Sequence, residues 1–305
     1  MSGSAKKHLI VIAGPTAIGK TSLSIHLAQE YQCPILSYDS RQFYKEMSIG
    51  TAKPSKVELE QAEHHFINSH SIHKLYTSGM FETDALAKLD ELFKNHEIII
   101  AVGGSGLYIN ALCYGIDDIP TDRELRKVIH NDWQEKGLAY LQKEVELFDP
   151  EYFANADMQN PRRVMRAVEV IRLTGKTYTS FRKKTKKTRP FQTTWIGLED
   201  EMPALYQRIN ERVDEMVNAG LIDEVKSLEE FKSLKALQSV GYQEVFPYLD
   251  GEYDKEKAIE LVKRNSRRYA KRQLAWFRRN EEINWFHSSD RNQIKAKIEE
   301  RNKSI

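Results

Sequence analysis

Leu9-Ile10-Val11-Ile12-Ala13-Gly14-Pro15-Thr16-Ala17-Ile18-Gly19-Lys20-Thr21 joins an apolar run to the phosphate-loop pattern GxxxxGK(S/T). Leu9 to Ala13 reads as a buried strand and the residues after Lys20 as a helix, which is the context the motif requires. The glycines let backbone N–H groups converge on a phosphate, and the helix begins there with the positive end of its dipole. Lys20 adds a charge, and the Thr21 hydroxyl can hold Mg²⁺. Gly14, Pro15, Thr16, Ala17, Ile18, Gly19, Lys20 and Thr21 are therefore the candidate diphosphate-binding residues, with Thr21 the candidate metal ligand. The loop does not name its ligand, since any metal-bridged diphosphate or triphosphate satisfies it.

Outward from the loop, Pro34 to Tyr38, Glu97 to Val102, Thr194 to Leu198 and Ile283 to Phe286 are further short apolar or β-branched runs, separated by long helical patterns. That alternation predicts an α/β fold: a P-loop NTPase-like parallel sheet with helices on both faces. Between Val102 and Thr194 the pattern is helical and charged, without a convincing strand. A helical insertion domain is therefore expected at 117–189, within a core domain made from 1–116 and 190–305. The insertion closes on Arg182-Lys183-Lys184-Thr185-Lys186-Lys187-Thr188-Arg189, which has no apolar period and reads as an exposed connector. A solvated linker and a nucleic-acid contact both fit such a run.

The 305 residues, 40% of them hydrophobic, suffice for a sizeable core. No stretch approaches the ~20 apolar residues of a membrane span, and no secretion signal opens the chain, so a cytoplasmic protein is expected. Ser2-Gly3-Ser4 reads as an expression remnant. Cys33 and Cys113 form no CxxC or Cys/His ligand pattern, which fits a reducing compartment and no structural zinc. His64, His65, His70 and His73 lack helical spacing and neighbouring carboxylates or thiolates, and are expected to be solvated or locally bonded. The net charge of +2 does not decide for or against nucleic acid, but its distribution is uneven. The segment from Lys263 to Arg279 is a strong helix former with basic residues over most of its circumference, a plausible nucleic-acid wall. Its Tyr269, Trp276 and Phe277 are expected to pack into the core.

In an ordinary P-loop NTPase a second strand ends in an acid that orders Mg²⁺ and water. Here Ile98 to Val102 runs into Gly103-Gly104-Ser105-Gly106, and the acid nearest a strand end is Asp39. At the C-terminal edge of a parallel sheet, Asp39 and Ser105 are placed for chemistry on a bound ligand. A helix cap for Asp39 and a turn-forming role for Ser105 are the plainer readings. Arg208 and Arg212, one helical turn apart, can clamp a diphosphate or pair with surface acids such as Glu211 and Glu215.

Six segments then occur in one order: GPTAIGKT, YDSRQFYKEMSIGTAKP (Tyr38 to Pro54), VGGSGLYINAL (Val102 to Leu112), NPRRVMRAVEVIRLTGK (Asn160 to Lys176), SVGYQEV (Ser239 to Val245) and RRYAKRQLAWFR (Arg267 to Arg278). In this the chain resembles the tRNA dimethylallyltransferases from about Leu9 to Phe286. One departure is Ser105, where many members have threonine, which keeps the hydroxyl. The zinc finger of eukaryotic members is absent, so the chain looks like a bacterial form. The resemblance implies Mg²⁺-assisted transfer of a dimethylallyl group from dimethylallyl diphosphate to N6 of the adenosine immediately 3′ of a tRNA anticodon. It implies Asp39 as base, Ser105 as its orienting partner, and Lys20 and Arg212 as catalytic cations on the diphosphate. By motif match, the implied tRNA contacts are Asp39, Ser40, Arg41, Gln42, Ser105, Arg126, Arg162, Arg163, Val164, Met165, Arg166, Gln238, Ser239, Val240, Gly241, Tyr242 and Gln243. The insertion would grip the anticodon stem, and the enzyme would act as a monomer. A small-molecule or nucleotide kinase and a non-catalytic RNA-binding ATPase are the rival readings.

Overall fold

The protein is described by a computed structural model over residues 7–183 and 185–303; Ser2-Gly3-Ser4 and Lys184 of the basic run lie outside the described residues. Within these, β1 (His8–Ala13), β2 (Ile35–Ser37), β3 (His64–His65), β4 (Ile98–Val102), β5 (Gln192–Glu199) and β6 (Ile283–His287) form one sheet in the order β3-β2-β4-β1-β5-β6. Every pairing is parallel. β1 lies between β4 and β5, with Ile10 opposite Ile100 on one side and Thr194 on the other. All its residues are buried, which is why its sequence is a continuous apolar run and not an alternation.

β3 departs from expectation, because His64 and His65 carry no apolar signal. Their backbones pair with Ile35 and Leu36 at the sheet edge, where main-chain bonding suffices and side chains need not be apolar. The histidines have local partners. His64 Nδ1 lies 2.7 Å from the Ala62 carbonyl, His65 lies 3.3 Å from Glu63, His70 stacks on Tyr76 and His73 meets Phe231 edge-on. Cys33 and Cys113 are free and buried, and burial pushes the Cys33 thiol up to about 12. No helix among the described residues is long and apolar enough to cross a membrane.

By its contacts the chain divides into two compact units, 1–113 with 189–305, and 114–188. In the first, the helix Lys20–Tyr31 buries Leu23, Ile25, Leu27 and Ala28. These pack with Ile10, Ile12 and Ile100 of the sheet, Leu205 and Ile209 of the helix Met202–Asn218, and Ala270 and Leu274 of the helix Lys255–Phe277. Each fully buried aliphatic side chain contributes about 1.5–3 kcal/mol. The phosphate loop is thus strung between a fully buried strand and a helix anchored on the core.

The second unit has its own core of Ile129, Leu141, Val145, Tyr152, Val164, Ala167 and Val168, from the helices Arg123–Lys136, Leu138–Phe148, Pro150–Asn155 and Pro161–Thr174. Asp122 and Asn160 cap two of them by accepting the N–H groups of Leu125 and Arg162, as short polar residues do at helix starts. Glu169, 1% exposed, accepts from Thr121 Oγ1, the Asp122 N–H, Arg126 Nε and Arg166 Nη1. Burial alone would raise this carboxyl, but the two guanidiniums and the further donors outweigh it and hold it below its ordinary range. Arg166 also donates to the carbonyls of Ile119 and Pro120.

Of the expected contact run 162–166, Val164 has no exposed surface and Met165 packs on the core. The run meets solvent mainly through Arg162 and Arg163, both exposed. The physical reason is the helical period, which turns 164 and 168 inward together. Glu169→Ala should lower the stability of this unit by about 3 kcal/mol, because it leaves guanidiniums and a backbone donor without their acceptor. An unchanged denaturant midpoint in the variant would show that the carboxylate is not the keystone of these helices.

Candidate active site

The phosphate loop owes its shape to a few backbone positions. Gly14 has φ +147°, and a Cβ there would stand 2.8 Å from the Leu198 carbonyl of β5. Gly19 (φ 95°) and Ala17 (φ 61°) also lie in the left-handed region. A non-glycine residue held there is strained, a cost that commonly accompanies ligand-binding loops. Lys20 Nζ donates to the Pro15 carbonyl at 2.6 Å. Desolvation lowers its ammonium to about 7, with Asp39 opposing the shift and Arg212 adding to it. Arg212, from the helix Met202–Asn218, reaches Thr16 Oγ1 at 3.2 Å and the Ala52 carbonyl at 3.3 Å. Desolvation lowers it too, against the pull of Asp39. Two desolvated cations thus converge on the loop, each bonded to neutral oxygens, with Asp39 the charge felt by both.

Arg208 has a different place. Its Nε donates to the Ala17 carbonyl at 3.2 Å and its Nη2 pairs with Asp200 at 2.6 Å. Asp200 neutralises it, so Arg208 braces the loop backbone, while Arg212 directs its charge at the loop. Sharing a helix face did not give the two arginines one role.

Asp39 follows β2, in a turn where its Oδ1 accepts the Arg41 N–H at 3.0 Å and its carbonyl accepts the Gln42 N–H at 3.1 Å. The buried Tyr38 locks the strand end, donating its hydroxyl to the Ile12 carbonyl and its N–H to the Val102 carbonyl. Gly103 packs on this strand end, where a Cβ would stand 2.6 Å from the Tyr38 ring and 2.9 Å from the Asp39 nitrogen. The glycines after β4 are therefore required by close approach. Ser105 Oγ accepts the Ser40 N–H and donates to Ser40 Oγ, both at 3.0 Å. Tyr269 lies here too: burial raises its phenol well above its ordinary value, Asp39 adds to the rise, and a hydrogen bond with Ser105 opposes it.

The helix Lys255–Phe277 corrects two sequence readings. Burial of Ala258, Val262, Ala270, Gln273, Leu274 and Phe277 makes it one-sided, so its charge does not surround it; Arg268, Lys271, Arg272 and Trp276 form an exposed stripe. Phe277 packs in the core as expected, but Trp276 is 40% exposed and Tyr269 faces Asp39 and Ser105. The Trp276 indole covers Gly106, where a Cβ would stand 2.1 Å from the ring.

The remaining expected contacts sit around a loop. Arg41 Nη1 donates to the Ala236 carbonyl at 3.0 Å, and Gln42 Nε2 to the carbonyls of Thr51 and Ala52 at 3.3 and 3.1 Å. Gln238 and Gln243 are exposed, Ser239 and Val240 half-buried, and Gly241 and Tyr242 buried. Tyr242 donates to Glu224 Oε1 at 2.6 Å, and Glu224 accepts the N–H groups of Ser48, Ile49 and Gly50. That nest folds residues 48–52 so that the Ala52 carbonyl receives both Arg212 and Gln42. Tyr242 therefore acts from inside the fold and does not present a surface. Sequence reasoning missed Glu224 and Gln273, and named Tyr269 only as a core residue. Of the two missed, only Gln273 carried a signal, a polar residue at the helical spacing of Ala270, Leu274 and Phe277.

The family model described as IPP transferase matches residues 42–280. A tRNA dimethylallyltransferase of Flavobacterium johnsoniae is 48% identical, over 98% of this chain and 99% of the relative. The crystal structure of a full-length tRNA isopentenylpyrophosphate transferase from Bacillus halodurans is 37% identical with a TM-score of 0.71, covering 98% of this chain and 99% of that one. A eukaryotic dimethylallyltransferase captured acting on tRNA is 28% identical with a TM-score of 0.77, covering 97% of this chain and 78% of its own. With the phosphate loop, the turns that carry Asp39 and Ser105 and the parallel sheet in the positions described, and with these matches over nearly its full length, the chain belongs to the IPP transferase family.

Proposed function

We propose that this protein transfers a dimethylallyl group from dimethylallyl diphosphate to N6 of the adenosine immediately 3′ of the anticodon in tRNA. The observation that carries the reading is the pair of desolvated cations, Lys20 and Arg212, bonded to neutral oxygens at the phosphate loop and sharing the field of one carboxylate, Asp39. Desolvated positive charge calls for an anion, and a carboxylate facing that anion calls for a proton to accept. The names of the relatives support prenyl transfer to tRNA over a kinase, and β4 leads into Gly103-Gly104-Ser105, which offers no water-ordering acid.

In this reaction the allylic C–O bond breaks and a C–N bond forms. Lys20, Arg212 and the loop amides stabilise the charge gathering on the departing diphosphate. Adenine N6 is a poor nucleophile because its lone pair is delocalised into the ring. Asp39 accepts the N6 proton as the new bond forms, and Ser105 orients the same amine. The described residues hold no cluster of three or more His, Cys, Asp or Glu able to hold a metal. A Mg²⁺ shared with a diphosphate needs only one or two protein oxygens, and the Thr21 hydroxyl would supply one; the ion would neutralise diphosphate charge.

An adenine stacked in an anticodon loop is out of reach, so the base is extruded into the site at a cost of a few kcal/mol. Unit 114–188, as the helical insertion domain, grips the anticodon stem, and the monomeric enzyme works in the cytoplasm. Arg268, Lys271 and Arg272 line the RNA path. Replacing all three with glutamine should weaken binding of every tRNA and flatten its salt dependence by about 0.7 to 0.9 log units for each phosphate that is no longer neutralised; an unchanged slope in filter binding would remove the stripe from the path. The reading itself is tested with labelled dimethylallyl diphosphate and unmodified tRNA. Label should appear on that one adenosine, and ATP turnover with no label in RNA would favour a kinase instead.

A further inference from the structure

Gln273 lies on the packed side of the helix Lys255–Phe277 and is 6% exposed. A buried primary amide requires partners at both ends. Its Oε1 accepts the N–H of Thr16 in the phosphate loop at 2.9 Å, and its Nε2 donates to the Gly104 carbonyl at 2.9 Å. One planar side chain therefore spans from the loop that holds diphosphate to the turn that carries Ser105. The fit is close. A Cβ at Gly104 would stand 2.1 Å from Nε2 and 3.8 Å from Asp39 Oδ2, so the missing side chain at 104 lets the amide reach between them. Thr16 is held a second time through its hydroxyl by Arg212, which ties the same spacer to the diphosphate clamp.

We propose that Gln273 is a positioning residue that sets the distance and alignment between the diphosphate on the phosphate loop and the nucleophile held by Asp39 and Ser105. The inference rests on the transfer reaction proposed above. Its hydrogen bonds run to backbone at each half of the site. Displacement requires the attacking nitrogen within roughly 3–3.5 Å of the allylic carbon, and a misplacement of about 1 Å lowers rate by about 10². A loosened spacer therefore acts on alignment and leaves each half-site able to bind its own ligand. It also admits water beside the allylic carbon. Water attack there breaks the same C–O bond, releases diphosphate, and gives the allylic alcohol with a proton lost to solvent.

The test uses the full chain with Gln273→Met, which keeps length and removes both polar ends, and Gln273→Glu, which keeps the acceptor for Thr16 but sets an oxygen against the Gly104 carbonyl. Gly104→Ala displaces Nε2 from the other side and covers the case in which the buried substitutions do not fold. Single-turnover transfer should fall by about 10- to 100-fold. Dissociation constants for inorganic diphosphate and for tRNA should stay within about threefold, and the ratio of diphosphate released to label transferred should rise above the wild-type value. Unchanged transfer overturns the inference. So does a loss of transfer matched by equal losses in both affinities with an unaltered ratio, which is a merely structural effect. Absence of transfer in the wild-type protein would instead overturn the proposed function.

Discussion

Single-turnover prenyl transfer by Asp39→Ala should fall by about 10² to 10⁴, the span of general-base effects, while tRNA affinity changes far less. Asp39 has two duties in the structure. Its carboxylate faces the Lys20 and Arg212 charges, and its Oδ1 also holds the Arg41 N–H. Asp39→Asn separates them, because an amide oxygen still caps the turn but takes up no proton. The asparagine variant should be nearly as impaired as the alanine variant, with Arg41 and Gln42 kept in place. Near wild-type transfer by either variant would remove Asp39 from the base role and leave it as a turn former.

Lys20→Met should lower transfer by about 10² to 10³, the loss seen when one charge-stabilising donor is removed from a reaction centre, while tRNA binding stays intact. Thr21→Ala should chiefly alter the Mg²⁺ dependence of donor use. The lysine variant has a pH signature. In the free protein desolvation holds the Lys20 ammonium at about 7, with Asp39 raising it and Arg212 lowering it. A bound diphosphate supplies anionic partners and raises it. Between those two values binding takes up a proton, so affinity for inorganic diphosphate should weaken as pH rises above 7, by at most about one log unit per pH unit. Below 7 the ammonium is charged in both states and contributes no slope. Lys20→Met should have lower affinity but lack this slope. Retention of the wild-type slope in the variant would assign the proton to another group.

What could be read along the chain is what leaves a local pattern. The runs near 9–13, 98–102 and 194–198 are central strands, whose burial on both faces calls for largely apolar sequence, and 283–286 is an edge strand that is only partly buried. Gly14 and Gly19 stand where a loop needs left-handed backbone and close approach, and both can be seen one residue at a time. The order of six motifs was enough to point to the family. β3 left no such trace, since a two-residue edge strand is held by its backbone alone.

The division of labour at the site was decided by tertiary structure. Arg208 and Arg212 lie one turn apart on a single helix face and both reach the phosphate loop, and only the fold pairs Arg208 with Asp200 while leaving Arg212 on the neutral oxygens of Thr16 and Ala52. Likewise Val164 and Tyr242 belong to motifs that suggest contact, yet both are enclosed. The Glu224 nest joins residues 48–50 to a helix far along the chain, and Gln273 meets Thr16 and Gly104 across 257 and 169 positions. Such contacts have no period and no spacing, because the hydrogen bonds of a buried amide or carboxylate depend on which chain segments the core brings together. The amino-acid sequence by itself determined the sheet apart from β3, the phosphate loop and the family; the tertiary structure decided which arginine is paired with a carboxylate, which motif residues reach solvent, and which distant segments a buried amide joins.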